Sequence, residues 1–268
     1  MKFILQTFFK GLYYWLTDKS FRTFVRLSIM HGSSKRYIQK NIRIPEGIMM
    51  VADAKSFIWQ YYEIFFRKYY HFNAVTNQPL IIDCGSNIGL SILGFKRQYP
   101  QSVIHAFEAD AKIAQILKTN IEKHQLKDVF VHENAVWTTD ESLNFASEGA
   151  DGGQISQVQA SSMQVEGIDL GRFLNRFEHI DFLKMDIEGA ETAVMPHIAN
   201  QLHKIDKLFV EFHSYNGQEQ KLNEVIQAIS SAGHRIFIEN VAGRHAPFVN
   251  TQGKYGMDLQ LNIFAFKD

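Results

Sequence analysis

The sequence predicts an α/β fold: a doubly wound, mostly parallel sheet with helices on both faces, preceded by a helical extension. Three observations carry this. Beyond Pro79, strand-length apolar runs alternate with amphipathic helical stretches, the pattern of a parallel sheet covered on both sides. Several of those runs end in a carboxylate, and a glycine-containing turn follows the first. Before Pro79 the chain is instead basic and densely aromatic. We therefore divide it into an N-terminal helical, basic and aromatic extension, residues 1–76, and a sheet domain, residues 77–268.

Composition agrees with one large domain plus an appendage. The 268 residues are 46% hydrophobic and 21% charged, and 22 Phe, 10 Tyr and 3 Trp promise a well-filled core. Five prolines and 17 glycines exclude a collagen-like or low-complexity chain. The single cysteine, Cys84, excludes an intramolecular disulfide and a cysteine-cluster zinc site.

The zero net charge conceals an asymmetry, because residues 1–44 hold nine Lys/Arg against Asp18 alone, a surplus of eight that residues 45–268 cancel. Such an arm could pack on its own domain, or meet an anionic membrane surface or partner. No zinc finger, helix-turn-helix or base-stacking signature accompanies the charge, so no nucleic acid is expected. Met1 to Phe9 is positive and then apolar, but Gln6, Thr7 and Lys10 interrupt it and no small-residue cleavage site follows. That argues against a signal peptide. Lys10, Asp18, Lys19, Arg22 and Arg26 break every window of membrane-spanning length. The expectation is a cytoplasmic protein, peripheral to a membrane if residues 1–44 serve as its contact. From Ser56 to Phe72, nine of seventeen residues are aromatic. They read as one helix, either buried on more than one side or offering a surface for stacking a ligand.

In the second region, Leu80 to Asp83, Val103 to Glu108, Val129 to Glu133, Phe182 to Asp186 and Leu208 to Phe212 are strand candidates. Asp110 can cap a helix that places Ile113, Ile116, Leu117 and Ile121 on one face. Leu222, Val225, Ile226 and Ile229 repeat the pattern before Gly233. Residues 138–168 break the rhythm, and their glycines suggest a hairpin or a loop over the sheet. Within them Asp151-Gly152-Gly153-Gln154 is either a mobile loop over the crevice or an ordinary hairpin turn. Arg235 to Glu239 and Leu259 to Phe266 complete the strands. In such a sheet, ligands bind beyond the carboxyl ends of the strands. Asp83, Glu108, Asn134, Asp186, Glu211 and His213 should therefore converge.

Asp83-Cys84-Gly85-Ser86-Asn87-Ile88-Gly89 follows the first strand and precedes a helix. Gly85 and Gly89 permit a tight turn and close approach to a nucleotide. Glu108, 23 residues beyond Gly85, ends the second strand, where an acid can accept hydrogen bonds from both ribose hydroxyls. Asn87 stands where a dinucleotide fingerprint wants its second glycine. Asp83 would repel a pyrophosphate but suits the sulfonium and ammonium of S-adenosylmethionine, which favours that methyl donor over NAD.

The chain resembles the FkbM family of S-adenosylmethionine-dependent methyltransferases. Three segments carry the resemblance: Ile82 to Gly89, Ala106-Phe107-Glu108-Ala109-Asp110, and Leu183-Lys184-Met185-Asp186-Ile187-Glu188-Gly189-Ala190-Glu191. The family's usual Glu-Pro is Glu108-Ala109 here, a departure that should alter only the turn. The resemblance implies a class I methyltransferase (Rossmann-like) sheet of seven strands, in which a last antiparallel strand is inserted beside the fifth. It implies binding of S-adenosylmethionine through Asp83, Gly85, Ser86, Asn87, Gly89 and Glu108, with Asn134 and Ala135 beside the adenine. It also implies methylation of a hydroxyl on a small molecule or glycan.

For an alcohol, the protein must align the nucleophile and remove its proton. The candidates are Asp186 and Glu188 after the fourth strand, and Glu211 and His213 after the fifth. His213 has an ordinary acidity of about 6.5, suited to a general base, although a loop-packing role with Glu211 as its partner is the alternative. Asp186, Glu211 and His213 could instead hold Mg²⁺ or Mn²⁺ on the substrate hydroxyl. Two other functions remain as alternatives: an NAD(P)-dependent sugar oxidoreductase or epimerase, which Asn87 disfavours, and a non-catalytic nucleotide-binding scaffold.

Overall fold

A computed structural model of the chain describes residues 2–146, 154–155, 163–241, 243–251 and 256–267, the side chains of residues 2–8 and 154–155 excepted. Its centre is a seven-stranded sheet built from β3 (Leu80–Cys84), β4 (Val103–Phe107), β5 (Val129–His132), β10 (Ile180–Met185), β11 (Ile205–Tyr215), β12 (Arg235–Asn240) and β13 (Met257–Phe266). The spatial order is β12-β13-β11-β10-β3-β4-β5. β3, β4, β5, β10 and β11 run parallel, whereas β13 is antiparallel to both β11 and β12. The last strand is thus inserted beside the fifth strand of the parallel set, as the resemblance implied. The chain order reverses at β3, between β10 and β4, so the strand ends there open into a crevice.

Both faces of the sheet are covered, and the central strands are therefore apolar at nearly every position. Ile81 and Phe182 face one layer, packed with Phe95 of α4 (Leu90–Gln98) and with Tyr70 and Phe72. Their neighbours Ile82 and Leu183 face the other, against Val194 of α7 (Glu191–His197) and Ile229 of α8 (Leu222–Ser231). α5 (Ala111–Lys123) begins at Asp110, whose carboxylate accepts the Lys112 and Ile113 amides and satisfies two otherwise unpaired donors.

The extension departs from the all-helical expectation. It contains α1 (Lys2–Thr17), α2 (Lys19–His31), a hairpin of β1 (Lys40–Ile44) and β2 (Gly47–Val51), and α3 (Ala54–Tyr61). Ile42 and Ile44 alternate with exposed Asn41 and Arg43, a two-residue period that only a strand can bury on one side. The aromatic helix is also shorter than the expected 56–72. α3 passes into a π-helical turn, Tyr62–Phe66, and Lys68 then takes a left-handed conformation that ends it. The extension shares its core with the sheet domain: Leu27, Ile42, Met49 and Phe57 pack with Leu90, Ile113 and Ile116.

The stretch read as a hairpin or loop forms a second, four-stranded sheet of β6 (Ala135–Trp137), β7 (Ser142–Ala146), β8 (Gln154–Ile155) and β9 (Met163–Asp169). The glycine turn at 151–153 lies outside the described residues. Among the described residues, no helix is long and apolar enough to cross a membrane.

Asn120 of α5 joins extension to sheet domain. Its Oδ1 accepts the Met50 amide at 2.8 Å, and its Nδ2 donates to the carbonyls of Met50 and Ile88, each at 2.9 Å. The Asn120 side chain is buried, so Asn120→Ala should cost about 2–3 kcal/mol. Thermal unfolding should show a fall in Tm of roughly 4–10 °C for a chain of this size.

Candidate active site

The turn after β3 is stitched to β4. The amides of Gly85 and Ser86 both donate to the Phe107 carbonyl, at 3.0 and 2.8 Å. Gly85 has a φ of +80°, and a Cβ there would lie 1.8 Å from the Asp186 carbonyl oxygen, so no other residue fits. Glu108 at the end of β4 accepts the Asn87 amide on Oε2 and the Asp110 amide on Oε1, each at 2.9 Å. Burial pushes its carboxyl up to about 7, against the pull of those amides. Each oxygen has capacity for a second hydrogen bond, which is what a ribose diol needs. The turn glycine that a Cβ would fill and the acid beside it fit a nucleoside such as that of S-adenosylmethionine.

Gly85, Ser86, Asn87, Glu108, Asn134 and Ala135 all line one cavity of about 1430 Å³. Two expected cofactor residues do not. Gly89 sits behind the turn at the start of α4. Asp83 is fully buried, with Oδ2 accepting the Ser91 hydroxyl at 2.6 Å and Oδ1 lying 3.6 Å from Lys184 Nζ. Its charge serves Lys184 rather than a sulfonium, and this corrects the argument that placed it against the ligand.

Lys184 is the residue that sequence reasoning passed over, although it lies within the most specific motif. Its ammonium donates to the Gly85 carbonyl at 2.6 Å and stands 3.4 Å from Asp186 Oδ2. Burial opposes the charge, but Asp186, Asp83 and Glu211 outweigh it and hold the pKa above the ordinary lysine range.

The loop after β10 presents the acids. Glu188 adopts a φ of +54° and Gly189 one of +101°, a strained geometry for a glutamate that the surroundings must enforce. Glu191, fully buried at the start of α7, supplies that enforcement by accepting the amides of Ile187 and Gly189, both at 2.8 Å. The Tyr215 hydroxyl donates to Glu188 at 3.2 Å. Asp186, Glu188 and Glu211 line the cavity, but His213 does not. It is buried behind them, 3.4 Å from Glu191, 3.7 Å from Glu211 and 3.8 Å from Glu188.

These ion pairs set the charge states. Burial works against a charged His213, yet the glutamates around it raise its pKa well above the usual value and keep it a cation. Despite burial, His213 and the Gln260 amide, 2.6 Å from Oε1, draw Glu211 below the carboxylate range. Burial raises Asp186 to about 7 and Glu188 to about 8, because their neighbours compensate them less fully. Ligand atoms of Asp186, Glu211 and His213 lie within 4.8 Å of one another, as a metal centre would require. In this arrangement the cation beside Asp186 is the Lys184 ammonium, 3.4 Å from its Oδ2, and His213 lies outside the cavity lining.

A further wall comes from the extension. Trp59, Tyr62, Tyr69 and Tyr70 line the cavity, as does Arg67. The aromatic run is divided between two surroundings, with Phe57 and Tyr61 in the core and Trp59 and Tyr62 on the cavity.

The family model described as Methyltransferase FkbM domain matches residues 83–236. The chain belongs to the FkbM methyltransferase family. Its matched span runs from the nucleotide turn to β12 and holds Glu108, Lys184, Asp186, Glu188, Glu191, Glu211 and His213. The chain is similar to Methyltransferase 1 of Beauveria bassiana (strain ARSEF 2860), 27% identical over 203 residues, covering 66% of this chain and 80% of that one. It is also similar to methyltransferase sdnD of Sordaria araneosa, 27% identical over 175 residues, 50% of this chain and 66% of that protein. A crystal structure of the methyltransferase FkbM from Methylobacillus flagellatus KT shares the fold at a TM-score of 0.50 and 15% identity. The likeness covers 81% of this chain and 56% of that one, so the chain spans little more than half of that protein's length. The protein is thus a member of a methyltransferase family with a class I methyltransferase fold.

Removing Lys184 should expose how much the site depends on it. Lys184→Ala leaves Asp83 and Asp186 without their shared cation, and the expected cost is about 3–5 kcal/mol in denaturant unfolding. The double variant Asp83→Asn/Lys184→Met should recover part of that loss.

Proposed function

We propose that the protein transfers a methyl group from S-adenosylmethionine to a hydroxyl of a small molecule or glycan. The observation that carries this reading is a single cavity holding three things: the nucleotide turn, carboxylates of raised proton affinity, and an aromatic wall. At about 1430 Å³ it exceeds the roughly 300–1,000 Å³ of a typical ligand pocket, leaving room for an acceptor beside a nucleoside. S-adenosylmethionine, when bound, supplies an already activated methyl group, so the protein's task is alignment and proton removal.

Asp186 is placed to receive the hydroxyl proton. Its backbone adjoins the Gly85 turn, with the Asp186 amide donating to the Cys84 carbonyl at 3.1 Å, and its pKa near 7 suits a base at neutral pH. Lys184 holds one of its oxygens. Glu188, steadied by Tyr215, and Glu211, held ionised by His213, orient the acceptor hydroxyl. His213 acts as the buried cation that keeps these acids in register, a positioning residue and not the base. Trp59, Tyr62 and Tyr69 offer ring faces against which a sugar or other flat apolar surface can stack.

Two experiments test the reading. Calorimetry with S-adenosylhomocysteine should show binding that weakens by about tenfold or more in Glu108→Ala, in line with loss of a bidentate charged hydrogen bond. Equal affinity in the two proteins, or tighter binding of NAD, would refute it. Turnover should rise with pH through the range from about 7 to about 8, where Asp186 and Glu188 lose their protons as a coupled pair. The base works only when deprotonated, so activity falls on the acid side. Asp186→Asn should lower kcat by roughly 10²–10⁴ and abolish that acid limb. A flat profile in the parent protein would remove the assignment.

A further inference from the structure

Outside the cavity, the first two helices carry a surface that nothing among the described residues covers. α1 meets the rest of the protein through Tyr14, whose ring lies 5.9 Å from Phe21 and 5.0 Å from Phe66. Arg22 of α2 donates to the carbonyls of Trp15 and Leu16, both at 3.0 Å, and closes the end of α1 against its neighbour. α1 is thus held in place, yet Phe9, Leu12, Tyr13, Trp15 and Leu16 stay exposed, Leu16 at 62%. Ile29 and Met30, in the last turn of α2, are exposed at 78% and 63%. Lone exposed apolar residues are ordinary, but this density on two adjoining helices marks an interaction surface.

Charge selects the occupant. Lys10, Lys19, Arg26, Lys35 and Arg43 are exposed on the same segment. Its single carboxylate, Asp18, is engaged by the Ser20 and Phe21 amides at the start of α2. A basic helix pair with protruding Trp, Tyr and Leu side chains has the chemistry of an interfacial helix on an anionic bilayer. Trp and Tyr prefer the headgroup level, where one end of the side chain is apolar and the other wet. Two such faces would repel each other, which argues against a second copy as the occupant. The acidic body would be repelled by the same bilayer, so the arm must be the side that approaches.

We infer that α1 and α2 form a docking surface for an anionic lipid bilayer. The surface adjoins the cavity, because Phe24 of α2 lies 5.9 Å from Trp59 and 4.7 Å from Tyr62, both of which line the cavity wall. Docking therefore brings the aromatic end of the cavity towards the headgroups.

The full chain, mixed with vesicles of phosphatidylglycerol and phosphatidylcholine in equal parts, should co-sediment at low salt. It should release at high salt and ignore pure phosphatidylcholine. The double variant Leu16→Glu/Ile29→Glu should bind about tenfold more weakly or worse, since each change removes an apolar anchor and adds a repelled charge. Circular dichroism and thermal unfolding should show the variant folded as the parent is. Brominated phosphatidylglycerol should quench tryptophan fluorescence, and Trp15→Phe should remove most of that quenching. The inference is overturned if the parent fails to bind anionic vesicles at low salt, or if the folded double variant binds them equally. It is also overturned if sedimentation velocity shows a dimer that the double variant loses, which would make a second copy the occupant. None of these readouts depends on methyl transfer.

Discussion

The site depends on one buried cation. Lys184 and Asp83 are directly paired across β10 and β3, so their side chains meet on one face at the centre of the sheet, where neither charge would survive alone. The ammonium has three donors. It donates to the carbonyls of Gly85 and Cys84, at 2.6 and 3.4 Å, and stands as an ion pair between the carboxylates of Asp83 and Asp186. The Gly85 turn and the acid loop are thereby tied into one unit. The absence of a Cβ at Gly85, where the Asp186 carbonyl passes, is the steric half of the same constraint.

The balance of charge around that unit explains how two carboxylates come to keep their protons up to near-neutral pH. Lys184 and His213 are the two cations among Asp83, Asp186, Glu188, Glu191 and Glu211, and all lie at least partly out of water. Two positive charges cannot compensate five negative ones in a poorly solvated cluster. Glu211 is drawn down because His213 and Gln260 serve it directly. The shortfall falls on Asp186 and Glu188, whose proton affinity rises. His213, which its residue type alone would nominate as base, is instead the charge that lets the others differ.

Much of the fold was legible because it is written in local periodicity. The parallel strands, the Asp110 cap and the apolar stripe of α5 each depend on residues a few positions apart. The hairpin from Lys40 to Val51 leaves little pattern in strands of five residues, and Asn120, which receives it, lies 70 residues from Met50. The aromatic stretch was ambiguous for a related reason. Whether Trp59 or Phe57 meets the core depends on where α2 and the sheet stand, and the π-helical turn shifts the face that Tyr62 to Phe66 present.

The sequence by itself determined which chemistry gathers at the strand ends. The turn from Asp83 to Gly89, the acid at Glu108 and the run from Leu183 to Glu191 are contiguous, and a parallel sheet must bring its strand ends together. The tertiary structure alone decided which of those groups face the cavity and in what charge state. It turned Asp83 inward to Lys184, set His213 among Glu188, Glu191 and Glu211, and brought Trp59 and Tyr62 from the extension onto the cavity wall. Periodicity is a property of neighbours along the chain, whereas desolvation and ion pairing sum over neighbours in space, which here include residues as distant in sequence as Asp83 and Lys184.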